Sequence, residues 1–138
     1  MSDLERLRRI IAADPYARSL GIELLDLRPG YSRMAMRLGE TMRNFHGTPH
    51  GGAIFSLADA AFAAAANSHG DAAVALAMTI HFLSAPAPGT RLIAEGREQR
   101  RGRQAGFYLI EVTTEAGVPV ASCQAVVHRQ GRAIPESS

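Results

Sequence analysis

The stretch 51–70 reads GGAIFSLADAAFAAAANSHG. Alanine, leucine and phenylalanine make 51–69 a strong helix former, and Gly70 supplies the stop. Its apolar residues run nearly all the way round, which marks a helix buried on most sides. Such a helix needs a layer wrapped around it, and the flanking sequence supplies strands.

Downstream, Val74, Leu76, Met78, Ile80 and Phe82 occupy every second position, the pattern of a strand with one face on the core. Pro86 and Pro88-Gly89 close it, and three further strands are expected at 91–99, 106–114 and 118–129, turning at Gly102 and at Ala116-Gly117. Upstream, 21–27 and 32–38 form a hairpin across Pro29-Gly30, with Met34, Met36 and Leu38 on one face and Arg33 and Arg37 on the other. The segment 39–49 reads as a loop. Before the hairpin, Ser2 followed by Leu4, Leu7, Ile10 and Ile11 gives a capped, one-sided helix that Asp14-Pro15 ends. The tail after Gly131 is expected to be disordered. The fold class is therefore α+β: an antiparallel sheet curled around one long buried helix, with a short N-terminal helix, in a single domain spanning 1–138.

Composition narrows the function. The chain has 138 residues and a net charge of +2, and all fifteen of its basic residues are arginine. Most alternate with acidic residues, which describes a solvated surface and argues against a nucleic-acid partner. With three Tyr, five Phe and no Trp, there is little aromatic surface on which to stack bases or sugars. A lone cysteine, Cys123, excludes an internal disulfide and any multi-cysteine metal cluster, and no His, Asp or Glu set has metal-ligand spacing. The opening MSDLERLRRI lacks the apolar run of a signal peptide, and no stretch approaches the roughly 20 apolar residues that span a bilayer. The expected setting is cytoplasmic, with no membrane partner. One basic cluster stands apart from this pattern, Arg100-Arg101-Gly102-Arg103.

Asp59 is an anomaly: across 53–62 the only other polar residue is Ser56. Burying an unpaired carboxylate costs several kcal/mol in an apolar setting, so it is either a structural group bonded to an amide or arginine, or a group kept for chemistry. On a helical period it shares a side with Phe55, Phe62 and Ala66. Gly51-Gly52 opens the same helix, where unpaired amides point outward and glycine admits a carbonyl close to the backbone, as in an oxyanion hole. Gly51 and Asp59 are eight residues apart, roughly 12 Å along a helix, whereas groups serving one carbonyl must lie within about 3 to 4 Å of it. Two antiparallel copies of the helix across a two-fold axis would bring Gly51 of one chain to Asp59 of the other. A homodimer with two composite sites is expected, assembling further to a homotetramer.

The run 44–70, NFHGTPHGGAIFSLADAAFAAAANSHG, resembles the helix segment of the PaaI-like hotdog-fold acyl-CoA thioesterases. The likeness extends to LGIELL at 20–25, TIHFLSAP at 79–86 and GRQAGFYLIEV at 102–112. It implies a hotdog fold and an enzyme that hydrolyses an aromatic or medium-chain acyl-CoA, such as the hydroxyphenylacetyl-CoA of phenylacetate degradation. No cofactor is implied beyond the CoA of the substrate. The resemblance places the catalytic carboxylate on Asp59, the oxyanion donor on Gly51, the side-chain amide on Asn44, and a further site histidine on His50. Phe55 and Phe62 would line the acyl pocket beside Gly52, and Arg100, Arg101, Gly102 and Arg103 would grip the CoA phosphates. This chain has Ala63 where more distant 4-hydroxybenzoyl-CoA thioesterases carry a threonine, and Ser84 where many relatives carry an arginine. Asp59 could act as nucleophile or as general base. A non-catalytic acyl-CoA-binding module, and a hydratase needing a paired histidine, are the rival readings.

Overall fold

The computed structural model describes residues 2–135. Its elements run α1 (Asp3–Ala12), α2 (Pro15–Ser19), β1 (Glu23–Arg28), β2 (Tyr31–Arg37), a 3-10 turn (Glu40–Met42), α3 (Gly51–Asn67), β3 (Asp71–Phe82), β4 (Arg91–Arg101), β5 (Ala105–Thr114) and β6 (Pro119–Ala133). The six strands form one antiparallel sheet in the order β1-β2-β4-β5-β6-β3. The sheet wraps α3, which buries Ile54, Leu57, Ala58, Ala61, Phe62, Ala64, Ala65 and Ala66. This is the hotdog arrangement.

Small residues let sheet and helix approach closely. On β4, a Cβ at Gly96 would meet the Ala61 carbonyl oxygen at 2.8 Å, so only glycine fits there without moving α3. Beside it the fully buried Ser32 hydroxyl donates to that same oxygen at 2.5 Å. At the far end of α3 the Ser68 hydroxyl donates to the Ala65 carbonyl and accepts from the Gly30 amide. The β1–β2 turn is thereby tied to the helix end, and α3 cannot slide along the sheet.

The N-terminal helix is capped as expected, with Ser2 and Glu5 forming a reciprocal capping box. Asp14-Pro15 ends it but also starts α2: the Asp14 carboxylate accepts from the Ala17 amide at 2.9 Å, and proline suits the first helical position. The alternation in 74–82 does mark a strand, and Met78 and Ile80 of its apolar face pack against this chain's core, but the rest of that face does not. β3 is an edge strand, and Val74 (44% exposed), Leu76 (63%) and Phe82 (52%) face outward. The disordered tail expected after Gly131 is also corrected, because β6 continues to Ala133 by pairing with Asp71; residues 136–138 lie outside the described residues. Among the described residues no helix is long and apolar enough to cross a membrane.

Candidate active site

Asp59 sits midway along α3, half-buried, and has no hydrogen-bond or ion-pair partner among the described residues. Burial, and secondarily the charge of Asp14, push its carboxyl above the usual aspartate range. It borders a largely apolar cavity of about 240 Å3. Ile10, Ile11, Ile22 and Met34 form much of the wall, while Asp14, Tyr16, Ser56 and Asn67 are its polar members.

The helical period explains which neighbours Asp59 keeps. At about 100° per residue, Ser56, Ala60, Ala63 and Asn67 fall to one side of it, and these line the cavity. Phe62 falls to the other side. Expected at the acyl pocket, it is instead 1% exposed, with its ring against Tyr108 at 5.7 Å between centroids. Ala66 is likewise core, and the half-buried Phe55 lines neither this cavity nor the one beside Gly51.

The N-terminus of α3 is built for an open amide. His50 is its N-cap: Nδ1 accepts from the Gly52 amide at 2.8 Å, and its carbonyl accepts from Ala53 and Ile54. The Gly51 amide is left without a partner among the described residues. It borders a second cavity of about 390 Å3, shared with Pro49, Ile54, Phe82, Leu83 and Ser84. The Phe82 ring lies 3.3 Å from where a Cβ would stand on Gly51, so the missing side chain keeps this approach open. His50 thus has a structural task at the cap, one that spacing did not disclose.

Asn44 precedes this terminus in a tight loop. Its Oδ1 accepts from the His46 amide, the Thr48 amide and the Thr48 hydroxyl, at 2.9, 3.2 and 3.1 Å. Its side-chain nitrogen remains without a partner among the described residues and is available to donate. His46 is exposed and lies against the Phe45 ring, itself 93% exposed. His81 is exposed on β3, and Cys123 is a packed core residue whose thiol is pushed up by burial and by the charge of Asp59.

Within one chain these residues do not converge. Gly51 and Asp59 are two turns apart on the same helix, about 12 Å, and border different cavities. The arginine turn is farther still. Arg101 pairs with Asp71 at 2.8 Å, and Asp71 also holds Arg129 at 3.1 Å, beyond the C-terminal end of α3. That is roughly 24 Å from Gly51 along the helix. Arg101 is thus committed within the chain, whereas Arg100 and Arg103 are exposed and carry no ion pair among the described residues. Sequence reasoning missed Asp14, Tyr16 and Asn67 as neighbours of Asp59; only Asp14-Pro15 hinted that the chain folds back there. Among the described residues no group of three or more His, Cys, Asp or Glu could hold a metal ion.

A family model described as "Thioesterase superfamily" matches residues 46–121. The chain is 40% identical over 121 residues to the acyl-coenzyme A thioesterase PaaI of Escherichia coli K12, covering 88% of this chain and 86% of that protein. The solved structure of the E. coli PaaI protein from the phenylacetic acid degradation operon superposes with a TM-score of 0.90, at 36% identity over 97% of this chain and 100% of that one. A Streptococcus mutans protein crystallised with acetyl CoA superposes with a TM-score of 0.78, at 25% identity over 82% of this chain and 91% of that one.

Proposed function

This chain belongs to the thioesterase superfamily, as an acyl-CoA thioesterase of the PaaI-like hotdog kind, and from that membership we propose how its residues divide the work. The acyl group of an aromatic or medium-chain acyl-CoA enters the cavity beside Asp59, and the thioester carbonyl points at the partner's Gly51. The free Gly51 amide, at the positive end of α3, donates to the developing oxyanion. Asp59 takes a proton from water, which adds to the carbonyl carbon. The tetrahedral intermediate then collapses, breaking the carbon–sulfur bond, and Asp59 returns its proton to the departing CoA thiolate. Direct attack of the Asp59 carboxylate on the carbonyl carbon is the alternative, because burial strengthens it as base and as nucleophile alike. The Asn44 side-chain nitrogen steadies the thioester or the water. Arg100 and Arg103 are the cations free to meet the CoA phosphates, and no cofactor is called for.

One observation carries the reading. A carboxylate and an amide, each without a partner among the described residues, stand two turns apart on one helix and border separate cavities. Each is half of a site, and a second copy in antiparallel contact supplies the other half; such dimers are proposed to pair further into a tetramer. Thiol release from a panel of phenylacetyl-, benzoyl- and medium-chain acyl-CoA tests the activity, with Asp59→Asn expected to lose about 10³-fold in kcat. Mixing Asp59→Asn chains with Asn44→Ala chains should restore one working site per mixed dimer. A parent that releases no CoA, an active Asp59→Asn, or verified mixing without recovery would overturn the corresponding part.

A further inference from the structure

The two ends of the Asp59 cavity are built differently. At one end stands Asn67, whose side chain is fully engaged: its nitrogen donates to the carbonyls of Ala63 and Ala73 at 2.8 and 3.1 Å, and its oxygen accepts from the Ala73 amide at 2.9 Å. The two bonds to Ala73 tie α3 to β3, so this end is fixed. At the other end stands Tyr16, on the five-residue α2. Tyr16 is 63% exposed, and its one side-chain hydrogen bond among the described residues joins its hydroxyl to Ser56 Oγ at 3.0 Å. Ser56 has already given its proton to the Gly52 carbonyl at 2.9 Å, so Tyr16 is the donor and Ser56 the acceptor. Ser56 lies one turn of α3 before Asp59.

One end of the cavity is thus pinned to β3 by two bonds, and at the other a single side-chain bond joins a short helix to α3. At about 240 Å3 the cavity falls below the roughly 300–1,000 Å3 typical of sites for drug-sized ligands, so it suits a compact acyl group while that end stays closed. We propose that Tyr16 is a specificity-determining residue: clasped to Ser56, its ring walls the Asp59 cavity on the α2 side and excludes acyl groups larger than the closed cavity. This rests on the reading of that cavity as the acyl pocket. Tyr16 takes no part in the proton transfer, so its substitution alters which acyl groups are hydrolysed rather than how.

The test compares kcat/KM of parent, Tyr16→Ala, Tyr16→Phe and Ser56→Ala on phenylacetyl-, octanoyl-, dodecanoyl- and hexadecanoyl-CoA. For Tyr16→Ala, the ratio of dodecanoyl to phenylacetyl should rise by about tenfold or more, the scale on which small changes of pocket fit register. Tyr16→Phe keeps the ring but loses the clasp, and Ser56→Ala loses its acceptor. Both should move the ratio in the same direction by a smaller factor, and they carry the test if Tyr16→Ala fails to fold. Ratios within twofold of the parent in the folded variants would overturn the proposal while leaving the thioesterase reading intact. A parent inactive on every acyl-CoA would instead sink that reading, and the acyl-pocket proposal with it.

Discussion

Asp59 ionises against two oppositions, the apolar wall of its cavity and the negative charge of Asp14, with no donor among the described residues to compensate either. Its folded-state pKa is raised, so its contribution to stability is fully present below the ordinary carboxylate range and is lost as pH rises through the raised value. At neutral pH the ionised side chain therefore weighs against folding. Asp59→Asn, nearly the same shape without the charge, should raise Tm by a few degrees at pH 7 and by nothing at about pH 3. Thermal melts at the two pH values check this, and a Tm lowered at pH 7 would show that the carboxylate has a stabilising partner. Asp59 was legible in the sequence because a charged residue amid alanines has no ordinary explanation. Asp14 and Tyr16 were not, because their approach to it depends on how α2 folds back. Phe62 was misplaced because three residues along a helix is an offset of about 60°, enough to move a side chain from cavity to core.

At the scale of elements, α3 was readable almost to its ends, since alanine content and a following glycine state both its strength and its limit. What composition could not reveal was the chemistry of its first turn. There His50 Nδ1 holds the Gly52 amide, which leaves the Gly51 amide as the outward-facing donor. His50→Ala should cost about 1 kcal/mol of stability by loss of the cap and lower kcat/KM as the first turn frays. His50→Asn, which can cap, should recover both; recovery of Tm without activity would assign the imidazole a part in the reaction. The hairpin, the meander and the capping box followed from alternation and turn residues. α2 did not, since five residues carry no period. β3 was recognised as a strand, but alternation does not tell that Met78 and Ile80 of its apolar face meet the core while Val74, Leu76 and Phe82 stay exposed.

For the molecule as a whole, β3 poses the largest question. It is a twelve-residue edge strand carrying Val74, Leu76 and Phe82 outward, with Leu83 just beyond, and such an edge invites pairing with another chain. Burying it against a second copy answers the same need as completing the site. Leu76→Glu should give a folded monomer by sedimentation, with its strand signal kept in circular dichroism and its thioesterase activity lost. An active monomer would mean that one chain suffices. The distance on which the proposed partner rests, the two turns between Gly51 and Asp59, was legible in the sequence; the exposure of Val74, Leu76 and Phe82 was not. One position far from that edge shows how tightly the rest is constrained. At Gly96 the obstacle to any side chain is the Ala61 carbonyl, backbone that cannot swing aside, and Ala61 stands two residues from Asp59. A single methyl there would lift the helix and its carboxylate together. This site should tolerate few substitutions, so that the protein's room for sequence drift is narrow even at a residue bordering neither cavity.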